Sequence, residues 1–249
     1  MNALLQSELL KIRTVRGTWI VIGVAALLSS IMGLAMVRIS VTDPPADGHP
    51  IRLSEIGLGP VQAMWFLAVG LAIVASAGEF QHRTIRATML LAPKRGRVLL
   101  AKAIVSGGLG GSLVFAGAAG ATLSAGITAV VSHAPMSMGG PAEWARIGAA
   151  AGLGVLWSVL ATGLGILTRG TAIAITTLLL WRFVGEALLP AVLRQPGIAR
   201  WTPSGAGNAL VGLGGPDLLP EWQAGLLFAG YAIAVCGAAG VLFTRRDPS

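Results

Sequence analysis

The chain has 249 residues, of which 54% are hydrophobic and only 11% charged, with 35 glycines and a formal charge of +8. Its mean hydropathy of +0.76 lies outside the range of an ordinary soluble domain and points to a bilayer. The excess positive charge does not read as nucleic-acid binding, because the cations flank apolar runs and no aromatic stacking platform is interleaved with them.

Residues 1–16 come first. Met1, Leu4, Leu5, Leu9 and Ile12 recur at helical spacing while Gln6, Lys11 and Arg13 fall elsewhere, which predicts an amphipathic helix in the membrane interface, before the chain turns inward at Trp19. The apolar run that follows is longer than a signal-peptide core and closes on no small-residue cleavage site, so it is read as a retained helix. Crossing a hydrocarbon core of about 30 Å takes about 20 apolar residues. Six stretches qualify: Gly17 to Val37, Gly59 to Ala77, Ala103 to Val131, Ile147 to Leu167, Gly170 to Pro190 and Gln223 to Phe243. They lack the period-2 alternation of barrel strands. The expected fold is an all-α integral membrane protein with six transmembrane helices, forming one domain over 1–249.

Between the second and third spans, residues 79–102 form a basic interruption longer than a chain reversal requires. Thr84 to Leu91 contain no helix breaker, Ile85, Met89 and Leu90 share a face, and Pro93 ends the run, which predicts a short helix parallel to the membrane that presents Arg83 and Arg86. Glu79 is placed to cap the base of this segment or to pair with Arg83 four residues on. A solvated basic turn would carry the same cations. The third span is too long for one perpendicular crossing, so it either tilts or begins outside the lipid. Gly107 with Gly111, and Gly148 with Gly152, sit one turn apart and predict seams of close helix contact. Cys236, the single cysteine, allows no intrachain disulfide and reads as a small buried side chain.

Arg182 and Glu186 lie four residues apart in the fifth span. Each charge costs about 2.5 to 3.5 kcal/mol near a helix centre, so neither is expected to face lipid. Counting from Gly170 they lie roughly 18 and 24 Å along the helix, in the outer half of the membrane. An ion pair inside the bundle and a substrate contact are both open. Residues 191–222, with Pro196, Pro203, Pro216 and Pro220, are too broken to span and too apolar for a simple solvent loop. An outer segment resting on the membrane surface through Trp201 and Trp222 is one reading of them.

Lys and Arg accumulate in cytoplasmic loops. An N-terminus inside places twelve cations on the cytoplasmic side, from Lys11 to Arg246, against five outside, Arg38, Arg52, Arg146, Arg194 and Arg200. Both termini are therefore expected in the cytoplasm.

The order Glu79, Thr84, Pro93, Arg95 and Lys102 resembles the cytoplasmic loop of type-2 ATP-binding-cassette (ABC) transporter membrane subunits. The stretch from Ser7 to Arg16, followed by Trp19, is similar to the leader of actinobacterial members. The family commonly carries Gly-Thr where this chain has Arg83 and Thr84. The resemblance implies a coupling helix that docks in a cleft of a separate ATPase, with Thr84, Ile85, Arg86, Met89 and Pro93 as docking elements and Glu79, Arg83, Arg95 and Lys102 around them. It also implies short re-entrant helices capping the exit path between the fifth and sixth spans. The implied assembly is two membrane subunits, identical or different, with two ABC ATPases that hold ATP and Mg, in contact with membrane lipids. Its implied role is export of hydrophobic or amphipathic compounds, drugs among them, across a bacterial plasma membrane.

The chain does not carry its own motor. It has no Gly-Lys dipeptide, hence no G-x-x-x-x-G-K-[ST] phosphate loop, and no cofactor or metal is expected on it. An intramembrane enzyme would need a nucleophile and base, or metal ligands, converging at one depth. His49 and His133 fall in outer segments, His82 in the polar block, and no G-x-S-x-G elbow occurs. A passive membrane scaffold is the remaining alternative, and the polar block is what argues against it.

Overall fold

With no water to hydrogen-bond their backbone, apolar runs of this length satisfy it internally as helices. A computed structural model describes residues 2–42, 51–81, 95–137, 139–213 and 218–245. Among them, six helices are long and apolar enough to cross a membrane, and the protein is an all-α multi-pass membrane protein. The elements are α1 (Asn2–Thr14), α2 (Arg16–Thr42), β1 (Ile51–Arg52), α3 (Leu53–Leu58), α4 (Val61–Gln81), α5 (Arg95–Val131), β2 (Met136–Ser137), α6 (Pro141–Thr168) and α7 (Thr171–Leu180). A π turn at Trp181–Gly185 carries α7 into α8 (Glu186–Leu193); a 3-10 turn (Pro196–Trp201), α9 (Pro203–Leu210) and α10 (Glu221–Arg245) follow. The crossings are α2, α4, α5, α6, the continuous rod from α7 to α8, and α10.

The centre is α5, packed on α2, α4 and α6, while α6 also packs on α4 and α10. Met64, Trp65, Ile73, Leu113, Val114, Trp157 and Phe228 fill the core. Trp65 stacks on Trp157 at 4.6 Å, and Trp157 meets Phe228 edge to face at 4.9 Å, arrangements that ring quadrupoles favour.

The α5 to α6 contact is set by glycine. A Cβ on Gly110 would lie 1.9 Å from Ser158 Oγ and 2.6 Å from the Gly154 carbonyl oxygen, and one on Gly154 would lie 2.8 Å from the Gly110 oxygen. Gly107 and Gly111 join this seam as expected, facing Val155. Gly148 and Gly152 do not: nothing lies within 4 Å of their missing Cβ atoms. The α6 partner is Gly154, which two residues of helix turn by about 200° from Gly152. Gly110→Val is expected to push the two helices apart and destabilise the protein by at least about 1–3 kcal/mol. A thermal melt in detergent, with Gly148→Val as the tolerated comparison, reads this out.

The third crossing resolves its excess length at its start. Helix α5 begins at Arg95 rather than Ala103 and runs 37 residues, so about two turns precede the predicted apolar stretch. These turns sit at one end of the bundle with the other polar helix ends. Arg95 Nη1 donates to the Phe243 carbonyl at 2.8 Å, Thr171 Oγ1 donates to Gln81 Oε1 at 2.8 Å, and the Arg169 guanidinium lies over the Phe80 ring at 5.4 Å. Both described ends of the chain therefore share this end. At the opposite end, β1 and β2 pair in parallel, Ile51 with Met136 and Arg52 with Ser137, and Gln62 Nε2 donates to Asn208 Oδ1 at 3.0 Å. The broken segment after α8 folds onto this opposite end, with Ala206, Gly207 and Ala209 of α9 buried and Trp201 and Trp222 exposed. Tyr231 of α10 ties it down by donating to the Trp201 carbonyl.

Candidate functional site

The segment 79–102 is not one loop. Glu79 lies in the last turn of α4, and Arg95 to Lys102 open α5, so only 82–94 separates the two helices. Arg83, Thr84, Ile85, Arg86, Met89 and Pro93, and with them the predicted coupling helix and the Glu79 to Arg83 pair, lie outside the described residues. What the structure describes is how both ends of the block are mounted.

The mounting is a buried ion network. Lys102 Nζ lies 2.6 Å from Glu79 Oε1 and 3.0 Å from Glu8 Oε2. Lys11 Nζ lies 2.7 Å from Glu79 Oε1 and 2.7 Å from Glu8 Oε1. Two carboxylates and two ammonium groups thus join α1, the end of α4 and the start of α5. The Lys102 side chain is only 3% exposed, Glu8 9% and Glu79 11%, whereas Lys11 is 44% exposed. Each buried charge has an opposite partner within hydrogen-bond distance, the condition under which ions are tolerated away from water. Partial burial lowers the Lys11 pKa, but its hydrogen bonds to Glu79 and Glu8 and their charges outweigh that, so the ammonium is held above the usual lysine range.

The N-terminal helix differs from its expected form. Leu4, Leu5, Glu8 and Ile12 turn toward the protein, and Leu9 and Leu10 are exposed at 49% and 61%, so the predicted stripe through Leu9 is not one face. Glu8 fixes the rotation: a carboxylate that finds Lys102 and Lys11 inside the contact outweighs a leucine that loses little by facing outward. The link to α2 is the single residue Val15, with the Thr18 N–H donating to its carbonyl. Trp19 Nε1 donates to the Arg13 carbonyl and secures the corner. Of the predicted block residues, Glu79 and Lys102 come together, while Arg95 goes to the C-terminus of α10, where carbonyls favour a cation. Glu8 and Lys11, the other half of the network, were read from the sequence only as part of the N-terminal leader and not as site residues; their spacing of three on a helix was the available signal.

A second polar site lies in the other half of the bundle. Arg182 Nη1 is 3.7 Å from Glu186 Oε2, with Glu186 buried and Arg182 about one-quarter exposed. Arg182 sits in the π turn, and such turns are frequent at functional sites. Glu186 Oε1 also accepts the Ser204 N–H at 3.1 Å, and Thr202 Oγ1 accepts the Gly205 N–H at 3.1 Å, so together they satisfy amide groups exposed at the start of α9. Arg182, Ser204, Asn208 and Gln62 line a small open cleft walled by Trp65 and Trp157. Two buried atoms bordering it, Arg182 Nε and Ser204 Oγ, have no hydrogen-bond partner among the described residues.

Among the described residues, no three His, Cys, Asp or Glu side chains gather as metal ligands. His133 stands in the turn after α5, and His49 and His82 lie outside the described residues. Cys236 packs on α6, its Sγ 3.3 Å from the Val159 carbonyl. No protein-family model and no curated protein matches the sequence.

Proposed function

We propose that this chain is the membrane-spanning subunit of an ATP-driven ABC transporter in a bacterial plasma membrane. It exports hydrophobic or amphipathic compounds and is powered by separate ATPase subunits that bind ATP and Mg. A second membrane subunit completes the pathway. The twelve-to-five distribution of cations puts the end bearing the polar block, and both termini, in the cytoplasm.

The observation that carries this reading is the Glu8, Lys11, Glu79 and Lys102 network. A docking element transmits motion only if its ends are held rigidly to the helices it moves. The network clamps the end of α4, the start of α5 and α1 into one unit at the base of the block. Helix α5 then runs through the centre of the bundle against α2, α4 and α6, so a displacement of the block moves the packed core rather than a peripheral loop. A passive anchor has no use for buried charges at this position.

Arg86→Glu, or replacement of residues 84–91 by a Gly/Ser linker, is expected to release the ATPase, at least tenfold in the amount recovered, while the membrane subunit still inserts. Affinity purification of the tagged chain from membranes, with mass spectrometry of the proteins recovered in equal amount, checks this. Unchanged recovery of a phosphate-loop ATPase, or its absence already with the natural chain, would favour the scaffold instead.

A further inference from the structure

We infer that the cleft lined by Arg182, Ser204 and Asn208 binds the carbonyl oxygen of an uncharged amphiphile, an ester or amide carried on an apolar chain. One group in its wall has a fixed polarity. The indole N–H of Trp65 can only donate, and it donates to Gln62 Oε1 at 3.0 Å. The other arm of that amide is therefore its NH2, which donates to Asn208 Oδ1 at 3.0 Å. Asn208 is left with its own NH2, which has no partner among the described residues. Arg182 Nε and Ser204 Oγ are buried and also without a partner among them. The first is a donor only, and a hydroxyl donates as readily as it accepts. Three residues around one cleft thus hold hydrogens that the protein leaves unused, and a buried donor is costly to leave unmade.

The chemistry of these groups sets the occupant. It must accept hydrogen bonds, which excludes an ammonium group. It is uncharged, because the one cation lining the cleft, Arg182, already has Glu186 as counter-ion at 3.7 Å, and an anion there would add an unbalanced charge away from water. Ring stacking does not hold it: Trp65 already stacks on Phe66 and Trp157, and the two tryptophans are 3% and 4% exposed. The cleft is small and open, so it takes one oxygen with its carbon while the apolar chain stays outside. Two sources supply such a carbonyl, the acyl ester of a bilayer lipid and a separate ester or amide compound. Binding needs only this chain; that the occupant is exported rests on the transporter reading, so a chain that recruits no ATPase still binds.

The test is a thermal melt of the purified full-length protein in an alkyl maltoside, a detergent without a carbonyl. The protein is titrated with monoolein and with its ether analogue, which differs only in lacking the carbonyl oxygen. Binding to the folded state raises the midpoint. Monoolein is expected to reach half its maximal effect at a concentration at least tenfold below that of the ether. Ser204→Ala keeps the backbone N–H that Glu186 accepts, and Asn208→Asp keeps the acceptor for Gln62 while removing the free donor. Each is expected to raise the monoolein concentration required at least fivefold, Ser204→Ala with the midpoint of the ligand-free protein unchanged.

Nanodiscs of diester and diether phospholipid separate the two sources. A higher midpoint in the diester disc that Ser204→Ala abolishes identifies the bilayer lipid as the occupant. Equal midpoints in the two discs, with the response to monoolein retained, identify a separate compound. Equal responses to monoolein and its ether, the result if a trapped water fills the cleft, or variants that respond like the natural chain, would overturn the site. A response to oleate at lower concentration than to monoolein would overturn the uncharged class.

Discussion

Lys102→Met is expected to destabilise the protein by about 3–5 kcal/mol, the usual consequence of removing one partner from a buried ion pair. Methionine fills most of the lysine stem, so the change isolates the charge. Lys102 is the most buried member of its network and the only one that contacts both carboxylates from within. Without it, Glu8 and Glu79 share the single ammonium of Lys11, and a net negative charge is left in a place water reaches poorly. Lys11 cannot compensate, because it already bonds both carboxylates and its exposure screens its contribution. By the same reasoning Lys11→Met is expected to lose under about 1 kcal/mol.

Denaturation of the purified protein in detergent measures the first effect, and a second substitution gives it a sharper form. Lys102→Met combined with Glu79→Gln restores neutrality, with Glu8 paired to Lys11, and is expected to recover most of the lost stability. A single Lys102→Met variant within 1 kcal/mol of the natural protein would show that the network is ornamental. The functional consequence follows from position. The block between α4 and α5 keeps its sequence in the variant, yet the start of α5 is no longer tied to Glu8 of α1 and Glu79 of α4, so on the proposed function recruitment of a partner ATPase is expected to weaken.

The six crossings were legible because lipid leaves the backbone only one local solution, and a run of 20 apolar residues states it directly. Their ends were less legible. Hydropathy placed the start of α5 at Ala103, since Arg95, Arg97 and Lys102 look like the end of a loop, but polar residues continue a helix readily when it extends beyond the lipid. Of the network, Glu79 and Lys102 stood out as flanks of an unusual block, whereas Glu8 was hidden among leucines, and nothing local says that a residue 94 positions from Lys102 is its neighbour. The glycine seams show the same limit. Spacing of four finds residues that share a face, as for Gly107 and Gly111, but which face meets a neighbour is decided by the partner helix, and so Gly154 rather than Gly152 is the point of contact. The pair Arg182 and Glu186 was predicted from the expense of charge in lipid, while the additional role of Glu186 toward Ser204 depends on the fold of α9 and had no signature in the chain.

That pair gives the second large effect. Glu186→Gln keeps an oxygen for the Ser204 N–H and removes only the charge, which leaves the Arg182 guanidinium without its counter-ion, and is expected to destabilise the protein by about 3 kcal/mol. Arg182→Met leaves the buried Glu186 carboxylate with one amide donor and is expected to be similar in size. The double variant removes both charges while keeping the α9 contact, so its stability is expected to exceed that of either single variant and approach the natural protein. Thermal melts of the four proteins establish the coupling between the two residues. On the transporter reading proposed above, transport then separates the two roles open for the pair. If Arg182 and Glu186 serve only to hold the π turn and α9 in place, the double variant regains transport together with stability. If Arg182, which lines the cleft walled by Trp65 and Trp157, holds a passing substrate, the double variant is stable and transports poorly, because restoring neutrality does not restore a donor.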